Sequence, residues 1–117
     1  MIGPLKSGLR ARQALRSNVY VLIGPRTFSS AQMAAVEFRH DLHATLVGEA
    51  TGEKLNGYGE IRVLKLPNSG LSMQYSTKYF RLGQEDGSAL EPDVKAAATL
   101  GDALAGRDPV LEAALRP

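Results

Sequence analysis

The sequence predicts a mixed α/β domain, and three patterns carry that expectation. The apolar, β-branched block "VYVLI" (19–23) is followed by Ala31, Ala34, Ala35, Phe38 and Leu42 at helical spacing, and then by a second short apolar block, "ATLVGE" (44–49). Further on, two runs of alternating apolar and polar residues flank "PNSG", which reads as an antiparallel hairpin. The chain closes on "AAATLGDALAGRDPVLEAALRP", rich in helix formers.

Taken in order, residues 5–16 read as a short amphipathic helix. Leu5, Leu9 and Leu15 mark its apolar side, and Lys6, Arg10, Arg12 and Arg16 its basic side. That basic side is either a solvated face or a contact for an anionic partner. The block at 19–23 reads as a fully buried strand, which Gly24-Pro25 ends. A helix starts at Ser30, and 44–49 forms the next strand. "ATGEKLNGYG" is polar and glycine-rich, hence a loop.

In the hairpin, Ile61 and Val63 alternate with Arg62, and Leu64 and Leu66 with Lys65. Leu71, Met73, Tyr75, Thr77 and Tyr79 alternate with Ser72, Gln74, Ser76 and Lys78, so both strands are expected to be half-buried. "GQEDGSALEPD" reads as a loop. In the tail, Asp108 and Pro109 suit the N-cap and first turn of a last helix. The resulting order is α-β-α-β-β-β-α-α. Two buried strands precede the hairpin, fewer than the roughly four to six of a typical sheet. The expectation is a small domain or the C-terminal part of a larger one.

Composition narrows the function classes. The 117 residues suffice for one domain. No apolar run approaches the ~20 residues of a membrane span, and no signal-peptide core is visible. The chain has no cysteine, so disulfides and thiolate metal sites are excluded. A net charge of +2 is too mild to argue for nucleic acid. His40, Asp41 and His43 lack further clustered ligands and read as surface residues, so no metal or other cofactor is expected. "GEATGEK" falls short of a phosphate loop, because Glu53 stands where glycine should approach phosphate and Leu55 where a metal-binding hydroxyl belongs.

Ser29 and Ser30 stand where the first strand gives way to the helix. A serine there caps the helix by accepting an orphan N–H, and Gln32, three residues on, fits a capping box. The same corner also suits a nucleophile, lifted to the sheet edge beside N–H groups that can hold an oxyanion. Both readings stay open on geometry alone. A serine nucleophile needs a base. His40 lies eleven residues along the helix, about 16 Å away at 1.5 Å per residue, and His43 is as remote. Lys54, in the glycine-rich loop, is the candidate that the chain could return to the same edge.

"TFSSAQMAA", "LVGEATGEK", "LPNSGLSM", "LEPDV" and "GRDPVLEAAL", in that order, resemble the carboxyl-terminal processing, or tail-specific, serine peptidases, from about Val19 to Leu115. The resemblance implies a ClpP/crotonase-like fold, present here in part, with a mixed sheet, an antiparallel hairpin and flanking helices. It implies a polypeptide substrate and, often, a location outside the cytoplasm. An S-x-[AS]-E pattern falls on Ser29-Ser30-Ala31-Gln32, which makes Ser29 the match for the nucleophile. A G-x-x-T-x-G-K segment falls on Gly48 to Lys54, which makes Lys54 the match for the general base. The backbone N–H of Ser30 is the expected oxyanion donor, and Gln32, Thr51 and Glu91 are candidates for supporting roles.

Gln32 departs from the usual acid of the pattern, and Glu53 from the usual glycine. Another branch of the family lacks the lysine and draws a histidine from upstream, and Thr51-Gly52 fits that branch too. Family members also carry an upstream PDZ-like module and a glycine-rich D-x-R-x-N-x-G-G segment that completes the oxyanion hole. Neither precedes Val19 here. The expectation is therefore a single C-terminal portion of the catalytic domain that is weak or inactive alone, since one missing oxyanion donor costs about 2.7–4 kcal/mol. The competing expectation is a non-catalytic module that binds peptides or partners. Exposed strand edges left by a missing half would favour self-association.

Overall fold

The computed structural model describes residues 18–83 and 87–116. The basic helix expected at 5–16 lies outside them. The elements are β1 (Tyr20–Ile23), α1 (Ser30–Leu42), β2 (Thr45–Gly48), β3 (Asn56–Lys65), β4 (Ser72–Arg81), β5 (Val94–Lys95), α2 (Leu100–Leu104) and α3 (Pro109–Leu115).

β1 and β2 pair in parallel, from Tyr20 opposite Thr45 to Ile23 opposite Gly48. Parallel neighbours need a crossover, and α1 supplies it. β5 pairs in parallel on the other side of β2, giving the order β1-β2-β5. A two-residue strand has no readable period, which is why Val94 and Lys95 stay unassigned between the expected loop and the expected closing helices. Asp93 supports the junction with β2. Its backbone N–H donates to Leu46 O (2.8 Å), and its carboxylate accepts from Leu46 N and from the Arg39 guanidinium, both at 2.8 Å.

The core is small: Ile23, Ala35, Leu46 and Leu90 form one cluster, with Val47 also fully buried. Each fully buried aliphatic side chain of this size contributes about 1.5–3 kcal/mol, so the centre of the fold lies at β2. β1 departs from the sequence expectation. It is an edge strand among the described residues, and Tyr20 and Leu22 are exposed. α1 differs as well. It buries Gln32 and Ala35, whereas Ala31 and Phe38 face outward.

β3 and β4 form the expected antiparallel hairpin, with Tyr58 opposite Tyr79 and Lys65 opposite Ser72. It closes through the 67–69 turn, where Leu66 N donates to Leu71 O (2.8 Å). The hairpin is a separate two-stranded sheet, so the expectation of one mixed sheet is corrected. It packs mostly on itself. Ile61, Val63, Leu64, Leu71, Met73, Tyr75 and Tyr79 are accordingly exposed rather than half-buried. Alternation shows which residues share a face, but burial needs something to cover that face.

Both short helices are capped by side chains. The Asp108 carboxylate accepts from Val110 N (3.1 Å) and Leu111 N (3.0 Å), as Asp108-Pro109 implied. On α2 a capping box joins Thr99 and Asp102, and Arg107 pairs with Asp102. The Thr99 hydroxyl and Thr99 N–H, helped by the Arg107 guanidinium, hold the Asp102 carboxyl below the usual carboxylate range. A depressed folded pKa stabilises at pH values above the unfolded pKa, about 3.9, and that stability fades as the pH falls through the folded pKa. Asp102→Asn should therefore lower the melting temperature near neutral pH, with the gap to wild type closing progressively as the pH falls below about 3.9. A gap that stays constant across that range would contradict this cause.

Candidate active site

α1 opens at Ser29 with φ 53° and ψ −127°. These are the dihedrals of the first central position of a type II′ turn, a position that glycine dominates. A serine there carries backbone strain of about 1–3 kcal/mol, which persists only where the surroundings impose it. Here the preceding turn does so: Thr27 N donates to Gly24 O (2.8 Å), and the Thr27 hydroxyl accepts from Gly24 N (3.1 Å). The Ser29 side chain makes no capping hydrogen bond, so the capping-box reading of Ser29 and Gln32 does not hold. Ser29 is exposed, and its hydroxyl is not spent on capping α1. Among the described residues, the N–H of Ser30 donates no backbone hydrogen bond either. It is one of the orphan donors at the helix start.

The glycine-rich loop lies against this corner and the core, held by three hydrogen bonds and one close backbone approach. Gly52 N donates to Thr27 O (3.2 Å). At Gly52 the backbones are so close that a Cβ would stand 2.0 Å from Pro25 O. Gln32 Nε2 donates to Lys54 O (3.0 Å), tying the loop to the first turn of α1. Thr51 is buried, and its hydroxyl accepts from Leu90 N (3.0 Å), fixing the start of the loop on the core. Gln32 is itself fully buried, and its Oε1 has no partner among the described residues. An amide can donate to the Lys54 carbonyl, and an ionised carboxylate cannot. That accounts for glutamine at this position.

A cavity of about 370 Å³ opens beside Ser29 and Ser30. Phe28 and Met33 contribute from the helix start, Leu55 from the loop, and Tyr58, Phe80 and Leu82 from the base of the hairpin. Asn56, buried at that base, accepts from Leu82 N (2.9 Å) and Gly83 N (3.0 Å) and donates to Gly83 O (3.1 Å), locking the two strand ends together.

The structure thus places Ser29, Ser30, Gln32 and the backbone of Lys54 in one neighbourhood. The Lys54 side chain is exposed, while the flanking Glu53 and Leu55 line the cavity. Glu91 stands elsewhere. It lines a separate cavity of about 500 Å³ at the carboxyl ends of β2 and β5, its carbonyl accepts from Arg39 (2.8 Å), and its carboxylate lies 3.9 Å from Lys95. His40 is exposed beside Asp41, with 2.7 Å between them. No group of acids and histidines that could hold a metal occurs among the described residues. No helix among them is long and apolar enough to cross a membrane. The sequence reading missed the hairpin wall of the cavity and treated Glu53 only as a departure. The one signal for the wall was "NGYG", whose two glycines precede the alternating run.

The serine at positive φ thus stands at a strand-to-helix corner, beside the Ser30 N–H and a cavity with more apolar than polar lining. Residues 5–96 match the family model of peptidase family S41, and the chain belongs to that family. It is the family that the motifs around Ser29 and Lys54 resemble. No curated protein matches the chain.

Proposed function

We propose that the chain carries the nucleophile-bearing part of a serine endopeptidase site acting on polypeptides, of the tail-specific kind. The observation that carries this reading is the backbone of Ser29, held at positive φ with its hydroxyl uncommitted to the helix. Ser29 Oγ attacks the peptide carbonyl while its proton passes to the base. The tetrahedral oxyanion collapses to an acyl-enzyme, which water hydrolyses. The N–H of Ser30 faces the developing oxyanion and stabilises it. Lys54 is the base in this reading, and the Gln32 and Gly52 contacts are what bring its backbone to the serine corner. An amine works as a base only once neutral, and burial is what favours its neutral form.

The exposure of Lys54 supports a second assignment, in which the base comes from outside the described residues. Lys54→Ala separates the two. Incubation with an alkyl fluorophosphonate should add one adduct to the tryptic peptide TFSSAQMAAVEFR, whose fragmentation places it on Ser29. Loss of the adduct in Lys54→Ala, at neutral pH, supports the lysine base. Labelling equal to wild type moves the base elsewhere. If the native chain labels no faster than heat-denatured chain, the peptidase reading gives way to the binding module. The open edge of β1 and the uncovered hairpin support that alternative, through strand addition or self-association. Light scattering on the same material would then have to show an assembly larger than the monomer.

A further inference from the structure

The cavity beside Ser29 carries a statement about substrate, resting on the reading of Ser29 as nucleophile. Its walls are more apolar than polar, and they are drawn from three separate pieces of chain that meet at the serine. The polar side chains in it include two acids, Glu53 and Glu60, and the Glu60 carboxylate is paired with Lys78. A volume of about 370 Å³ is at the small end of ligand clefts, which run from roughly 300 to 1,000 Å³. It suits one side chain and its adjoining backbone. The group nearest an attacked carbonyl is the side chain of the residue that owns it. An apolar side chain fits these walls, and an aspartate would meet both desolvation and the Glu53 carboxylate.

Gly57 and Gly59 line the same cavity from β3. They differ in what a side chain would meet. A Cβ on Gly59 would press on the Phe80 ring at 2.9 Å, so packing excludes one there. A Cβ on Gly57 would meet nothing within 4 Å. Its missing side chain therefore leaves space that no other part of the described protein fills. Gly57 is opposite Phe80 in the ladder, and both residues line the cavity.

We propose that this cavity receives a bulky apolar side chain on the acyl side of the scissile bond, and that Gly57 determines this specificity by keeping the cavity open. The test uses the whole chain and two peptides, acetyl-Ala-Ala-Leu-amide and acetyl-Ala-Ala-Asp-amide, followed by amide shifts of Gly57 and Gly59 in ¹⁵N-correlated spectra. Ser29→Ala should respond to the Leu peptide and not to the Asp peptide, and Gly57→Leu should lose the Leu response while the rest of its spectrum stays dispersed. Peptidyl diphenyl phosphonates with the same two sequences should label wild-type Ser29 at rates differing by about tenfold or more.

Leu-selective shifts without any labelling would sink the nucleophile and keep the cavity. Labelling indifferent to Leu or Asp would sink the cavity and keep the nucleophile. An undiminished Leu response in folded Gly57→Leu overturns the role of Gly57, and no response in either experiment overturns both.

Discussion

Ser29→Ala should abolish labelling and peptide hydrolysis, whereas Ser30→Ala should leave both largely in place. Removing a serine nucleophile typically costs on the order of 10⁶ in turnover, because no other group at the site can form the acyl bond. Ser30 is proposed to act through its backbone N–H, which alanine retains. Two adjacent serines of opposite sensitivity are a sharp pattern, and equal loss in both variants would point to a disturbed helix start instead. Stability separates the explanations further. The Ser29 side chain caps nothing, so its removal forfeits no cap energy. Its strain belongs to the backbone, where φ is 53°. Glycine adopts that conformation freely. Ser29→Gly should therefore be inactive yet more stable than Ser29→Ala, by about 1 kcal/mol. Denaturant titration of the two variants reads this directly, and an order of stability reversed between them would contradict a strained corner.

Gly52→Ala should damage the site with a larger effect than its exposed position suggests. The added methyl would stand 2.0 Å from Pro25 O and 3.1 Å from Pro25 C, both backbone atoms that cannot rotate aside. The loop must then back away from the serine corner. That motion strains the Gly52–Thr27 bond, the Gln32–Lys54 bond and the cavity wall formed by Glu53 and Leu55. Overpacking of this kind costs about 1–3 kcal/mol, and a displacement of about 1 Å at a reacting geometry lowers rates by about a hundredfold. Gly101→Ala is the matched control, since its methyl would meet only Thr99 Oγ1 at 3.6 Å and α2 contributes nothing to the cavity. Thermal unfolding and the rate of Ser29 labelling should fall together in Gly52→Ala and hold in Gly101→Ala. Unchanged melting and labelling in Gly52→Ala would show that the loop's close approach has no part in the site.

The hairpin and α1 show where sequence reading stops. Residues 61–65 and 71–79 alternate so regularly that strands, turn and pairing followed at once, and the ladder keeps one register throughout. Which face would be covered did not follow, and among the described residues neither is well covered. On α1 the apolar stripe was placed from Ala31 to Leu42, yet the buried residue of the first turn is Gln32. Hydrophobic spacing ranks residues by type, so a glutamine inside a protein is invisible to it until its partner, the carbonyl of Lys54, is known. Glu91 shows the converse: a resemblance made it a candidate, and the fold puts it in another cavity.

The sequence by itself determined β1, α1, β2, the hairpin and the closing helices in their order, though not β5, together with the last helix's cap and the corner serine, because helix period, strand alternation and turn chemistry act over a few neighbouring residues. Only the tertiary structure decided the approach of Gly52 to Pro25, the exposure of Lys54 and the cavity between helix and hairpin. Each of these is set by contact between segments some twenty or more residues apart, or by what else packs there, and no local pattern encodes where such segments meet.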